Sequence, residues 1–335
     1  MNTTSIGDLA NSLLLRTRST EIKQSISTLT QELSTGKVSD ISGRLDGDFA
    51  YLADIERNMA RLEAYSVAAS EARMFSDAAQ TSLGRVQDLS TALGNDLLAS
   101  TPSRLGTAIS HISERSRQDL GVAITALNTD VAGRSLFGGT ESSRAPLAPA
   151  TDLLTELEAV VSGLTTAADI YSAAETWFDD PAGFRAAIYA GSDTSFAPVR
   201  IGPGEEASMP LRADDPAVVG VLRDMALSAL AANPSLGLDL DTQNELLRQA
   251  GEGLLTSQQS LAGIRADLGF TQARIEEATA RNSAAANSLE IARNTLLEAD
   301  PYETAIRLED AQFQLESLYS ATVRTSRLSL VNFLS

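Results

Sequence analysis

The chain reads as a mainly α protein: a long helical bundle or coiled coil formed by its N- and C-terminal regions, with a small inserted α/β lobe that contains a β-hairpin. Three observations predict this. Residues 302–334 place Ala305, Leu308, Ala311, Leu315, Leu318, Thr322, Ser326, Leu330 and Phe333 along one helical stripe, and residues 5–33 do the same with Ile6, Leu9, Leu13, Ile22, Ile26, Leu29 and Leu33. Only 5% of the 335 residues are aromatic, which favours long helices over a bulky enzyme core. Acidity is concentrated in the middle: residues 141–245 carry 5 basic and 17 acidic groups out of a net charge of -18, so the flanks are balanced enough to pack while the centre suits a solvated lobe.

The first helix should run for roughly thirty residues, about 45 Å at 1.5 Å per residue. Two helices of similar length at opposite chain ends, neither with a local partner, pair most economically with each other; the alternative is that each docks on a separate core. Ser34-Thr35-Gly36-Lys37 ends the first helix with a glycine cap. The Gly-Lys pair is no phosphate loop, because Gln31 and Val38 stand where that motif needs glycine and a hydroxyl. A second helix of roughly fifty residues, about 75 Å long, runs from Phe49 through Leu62, Ala72, Leu83 and Leu93. Thr101-Pro102 then opens a third, which continues through Ile109, Leu120 and Leu127 and is expected to stop near Gly133.

The middle changes character. Residues 152–164 and 167–178 read as short helices, with Trp177 in their core; residues 184–189 and 196–201 read as strands, and 207–211 as a further one. Gly202-Pro203-Gly204-Glu205-Glu206-Ala207 mimics a dinucleotide loop, but Pro203, the two carboxylates and Pro210 oppose that, and a hairpin turn is the reading. Pro216 opens another helix to about Ala232, and Asp239 or Asp241 caps the last long one, with Leu247, Leu254, Leu261, Leu268 and Ile275 on its stripe. Asp300-Pro301 starts the terminal helix. The expected organisation is thus 1–36 plus 301–335 as a terminal helix pair, 37–140 plus 240–300 as a long-helix bundle, and 141–239 as an acidic α/β outer lobe, the whole shaped as a hairpin-like rod.

Several short stretches have a family look. Asn128, then Gly133-Arg134-Ser135-Leu136-Phe137-Gly138-Gly139-Thr140, resembles the Leu-Asn and Gly-Arg-Tyr-Leu-Phe-Gly-Gly-Thr signature of the bacterial flagellin family, with Ser135 in place of the usual tyrosine. Leu33-Ser34-Thr35-Gly36 resembles the end of that family's first helix, and Arg265, Leu268, Gly269, Gln272 and Arg274 fall in the pattern of its C-terminal segment. The start of the last helix is similar too, apart from the proline at 301. The resemblance covers about 1–140 and 245–335.

Taken with the composition, these readings set the expectations. No cysteine and a single histidine, His111 beside the Ile109-Ile112 stripe, leave no catalytic constellation, and no cofactor or metal is expected. Nucleic acid is an unfavourable partner for so acidic a chain, and no apolar run approaches a membrane span. Asp8 and the short Leu13 to Leu15 run do not form a secretory signal, so departure from the cell would need another route. The resemblance implies a non-enzymatic structural subunit exported by the flagellar type III apparatus to the extracellular flagellum without a cleavable signal peptide. It would self-associate in a ring or short helical assembly and meet a neighbouring hook-associated protein and flagellin, with a flagellar export chaperone. A coiled-coil adaptor unrelated to flagella is the alternative from another class. The residues expected to form the assembly surface are Ile22, Ile26, Leu29 and Leu33 of the first helix, Leu308, Leu315 and Leu318 of the last, and its ending Leu328, Leu330, Val331, Phe333 and Leu334, which is apolar on more sides than one two-helix seam covers.

Overall fold

The computed structural model describes the backbone of residues 3–100 and 106–334, and the side chains of 10–100 and 106–324. In order the chain forms α1 (Thr3–Thr35), α2 (Ile41–Arg44), α3 (Ala50–Ser100), α4 (Gly106–Leu127), β1 (Asp130–Val131), β2 (Arg134–Ser135), α5 (Ala150–Val161), α6 (Ala167–Asp179), α7 (Phe184–Ala187), β3 (Val199–Gly202), β4 (Glu205–Ala207), α8 (Pro216–Leu230), a single 3-10 turn (Pro234–Leu236), α9 (Leu240–Leu297) and α10 (Pro301–Leu334). About 75% of residues are helical, and the described strands make two small antiparallel ribbons, β1-β2 and β3-β4. The fold class is mainly α with a small β-containing lobe. The Thr101-Pro102 start expected for α4 lies outside the described residues.

Two compact units divide the chain, one of residues 1–63 and 284–335, the other of 64–283, so that α3 and α9 each contribute to both. The larger unit has a continuous core. From α3 it takes Ala79, Leu83, Val86, Leu93 and Leu97, and from α9 Leu247, Ala250, Leu254, Leu261 and Leu268. These two helices approach closely because glycine removes side chains at the crossing: a Cβ on Gly251 would meet Leu97 Cβ at 3.1 Å, and one on Gly94 would meet Leu254 Cβ at 3.4 Å. Through the centre runs α8, buried on almost every side from Ala217 to Leu230 and packed mainly on α4. A helix apolar all round belongs in an interior. Asp215 caps it by accepting from the Ala217 N–H at 3.0 Å, with Pro216 in its first turn.

Three sequence expectations need correction in this unit. Residues 184–189 do not form a strand: Phe184–Ala187 is one helical turn, and only at Tyr189 does the chain bridge to Leu147. Phe184 and Ile188 are buried while Arg185 to Ala187 are exposed, a four-residue spacing that a short apolar run cannot distinguish from alternation. The helix expected to continue towards Gly133 ends instead at Leu127. Asn128 leaves the helix because its side chain does the work of a strand, donating to the Leu147 carbonyl and accepting from the Leu147 N–H, both at 2.9 Å. The strand expected at 207–211 is also displaced: β4 is Glu205–Ala207, and beyond it Pro210 has no N–H to give to a ladder. The 202–207 decoy is a hairpin turn, with Gly204 at φ 75° between paired β3 and β4, and Asp239 caps α9 by accepting from the Thr242 N–H at 2.7 Å. Trp177 is partly buried against the core, its ring edge-on to Phe178 and Phe184. His111 lies exposed on α4.

Candidate assembly surface

In the smaller unit α1 packs against α10. The turn that brings them together is built from their ends. Gly36, at φ 67°, caps α1 and donates to the Glu32 carbonyl at 2.8 Å. The strand-like segment after it pairs with the link before α10: Val38 N–H donates to Leu297 O, and Ala299 N–H to Gly36 O, both at 3.0 Å. Asp300 then accepts from the Tyr302 and Glu303 N–H groups at 2.8 and 3.1 Å, with Pro301 supplying a first-turn residue that has no N–H to satisfy.

The seam itself is thin. Ile22 is buried; Ile26, Leu29, Leu308, Leu315 and Leu318 are half-buried; Leu33 is 42% exposed. Among the described side chains of α1 and α10, only Ile22, Thr304 and Ala311 are fully buried. Lys23 lies over the Tyr319 ring, 5.7 Å from its centroid, and hydrogen bonding to Lys23 and Ser19 draws the Tyr319 hydroxyl below its ordinary pKa. The side chains of Leu328, Leu330, Val331, Phe333 and Leu334 lie outside the described residues.

A second apolar line was missed in the sequence. Tyr302 (78% exposed), Ile306 and Phe313 (71% exposed), spaced by four and seven, share the side of α10 away from the Leu308-Ala311-Leu315 stripe, and Leu13 is likewise exposed on α1. The signal was there, since bulky apolar residues off the main stripe have no partner inside a two-helix seam.

The signature residues of the larger unit act as internal fasteners. Ala132 and Gly133, at φ 52° and 77°, form the two-residue turn of the β1-β2 ribbon, the left-handed pair such a hairpin requires. Arg134 donates to Glu71 at 2.7 Å, while Leu136 and Phe137 enter the core. Phe137 O accepts from Ala213 N–H at 2.9 Å, and Gly138 O accepts from Ser192 N–H at 2.9 Å. Gly139 is held at φ 58° so close to the 192–194 loop that a Cβ would fall 2.5 Å from the Thr194 carbonyl oxygen. On α9, Arg265 donates to Gln80 at 3.0 Å and to Gln87; Gln272 donates to Asp77 at 2.7 Å, and Arg274 to Glu206 O at 2.8 Å. Leu268 is buried; Gly269 has open space where a side chain would stand, and nothing in the structure explains it.

A buried charged cluster lies on α8, besides the one that Asp214 makes with Arg185 and Arg212. Asp224 of α8 accepts from the Tyr171 hydroxyl at 2.9 Å and from Arg223 Nε at 3.0 Å, in space left by Gly253. Burial pushes its carboxyl up to about 6, against the pull of Arg223. Among the described residues no three carboxylate or imidazole groups converge as metal ligands, and no helix is long and apolar enough to cross a membrane.

Comparison with known proteins bears on most of α9 and on α10. Residues 253–334 match the family model of the bacterial flagellin C-terminal helical region. A search of curated proteins finds no match. Among solved structures, one described as a flagellar hook-associated protein from Vibrio parahaemolyticus aligns at 12% identity and a TM-score of 0.43, over 73% of this chain and 99% of that one, a likeness too loose to carry a functional argument. The segment 253–334 is therefore similar to the C-terminal helical region of bacterial flagellins.

Proposed function

We propose that the protein is a non-enzymatic structural subunit of the bacterial flagellum, placed at the hook-filament junction, where it lets flagellin assemble on the hook. The observation that carries the reading is the flagellin-type segment 253–334 together with the apolar line it leaves uncovered at Ile306 and Phe313. Copies of the chain would associate through the terminal helices in a ring or short helical array, with a hook-associated protein on one side and flagellin on the other. Delivery would be by flagellar export, with a chaperone covering the apolar ends beforehand. The acidic middle favours the junction: an excess of 12 negative charges within residues 141–245 is tolerable in one short ring but crowds when repeated without limit.

Filament flagellin itself is the second reading, favoured because the matching family model is that of flagellins. Deletion of the chain separates the two. A junction subunit leaves hooks without filaments and unpolymerised flagellin in the medium. Normal filaments in the deletion strain would overturn the junction reading, and long filaments grown from the purified protein alone would replace it with the filament one.

A further inference from the structure

Within the larger unit, α3, β2 and the segments flanking the β3-β4 hairpin enclose a cavity of about 390 Å³, lined by Phe75, Ala79, Leu136, Phe196, Met209 and Leu211. That volume lies in the range of small-molecule sites. Arg134 also lines it, about half exposed, its guanidinium 4.9 Å from the Phe75 ring centroid and 5.3 Å from that of Phe196. The two rings restrain the guanidinium, and one Nη donates to Glu71. Among the described residues its Nε and second Nη have no hydrogen-bond partner, so one edge of a pre-oriented fork is open beside an apolar slot. Glu71 is the only acid lining the cavity, and its exposed pair with Arg134 contributes little to be lost.

We propose that this cavity is a binding site for a small aromatic carboxylate, its ring in the slot against Leu136 and Met209 and its carboxylate on the open edge of Arg134. A planar fork matches a carboxylate in two parallel hydrogen bonds, which an amide or an ammonium cannot reproduce. Hydrocarbon alone would fill the slot but leave that edge to water. The site is independent of the assembly role and needs no second copy.

The probe is 2-naphthoate, titrated into the purified full chain and followed by the NMR shift of the Met209 methyl group, with 2-naphthamide and 2-naphthylmethylamine in parallel. The expected result is saturable binding of the carboxylate at least about tenfold tighter than the amide, the size of one charge-assisted hydrogen bond. Arg134→Gln should remove that preference, and Ala197→Trp, which fills space at an exposed lining position, should abolish binding of all three probes. Circular dichroism establishes folding, and if Arg134→Gln unfolds, Ala197→Trp and the carboxylate-to-amide ratio decide. Equal affinity for carboxylate and amide, unchanged binding in either folded variant, or no Met209 shift up to the solubility limit would overturn the site.

Discussion

The two units of this chain use the same helical vocabulary and bury it very differently. In the larger, α8 is enclosed almost completely and the core extends from Leu83 and Leu254 to Phe137 and Phe184. In the smaller, the fully buried described side chains are Ile22, Leu52, Ile55, Ala299, Thr304 and Ala311, and among the described residues eleven of the fifteen exposed large apolar ones fall there. Stability scales with apolar area removed from water, and a long helix pair that buries one stripe removes little. One unit buries most of its described apolar side chains within itself; the other leaves many of its own exposed. That contrast teaches where cohesion ends and association begins.

The contrast is most sharply tested by amide hydrogen exchange on the monomer. Amides of α8 should exchange only through global opening, while those of α1 and α10 should exchange orders of magnitude faster. Equal protection in a verified monomer would erase the distinction. Next in size, Leu222→Ala should cost about 2–5 kcal/mol of unfolding free energy, read by denaturant titration, because it leaves a cavity in an interior with no exposed side to relax into. Gly139→Ala should cost about 2–4 kcal/mol by the same measurement, from its left-handed backbone and the Thr194 carbonyl in the way; a loss under half a kcal/mol would mean the loop gives freely.

Smaller still is the effect of pH on the larger unit. The ionised Asp224 carboxylate is buried with Arg223, Tyr171 and Glu175 around it, and its folded pKa of about 6 stands above the ordinary 3.8. Between those two values the folded chain binds a proton that the unfolded chain does not. This group therefore costs stability above pH 6, and the cost is relieved as pH falls towards 4. The melting temperature should hold or rise from pH 7 to pH 5, and Asp224→Asn should flatten that dependence. The smallest effect on stability belongs to the outer line of α10: Phe313→Ser should change the monomer's unfolding free energy by less than about 0.5 kcal/mol yet prevent incorporation into the flagellum. Leu315→Asp, on the inward stripe, should also block incorporation while leaving α8 protected. Normal motility with either variant would remove the terminal helices from the assembly surface.

Much of this was legible in the linear chain. Stripes in residues 5–33 and 302–334, the proline and aspartate at 300–301 and the glycine at 36 state helix, cap and turn locally, because periodicity and backbone freedom need no distant neighbour. Where a side chain competes with the backbone, local reading failed. Asn128 ended α4 early by pairing with Leu147, nineteen residues away, and the run from Phe184 became a helical turn because Phe178 and Trp177 wait for it. The same limit hid the cavity beside Arg134, whose walls come from α3, β2 and the segments around β3 and β4.

What the sequence determined by itself is the set of long helices, their polarity and the surplus of apolar residues at both ends, since these depend on spacing along one chain. Tertiary structure alone decided which surplus is spent inside. Leu308 and Phe313 are five residues apart on α10 and equally apolar, yet one turns towards α1 and the other to solvent. A helix has several faces, and only the position of its neighbour settles which of them is an interior.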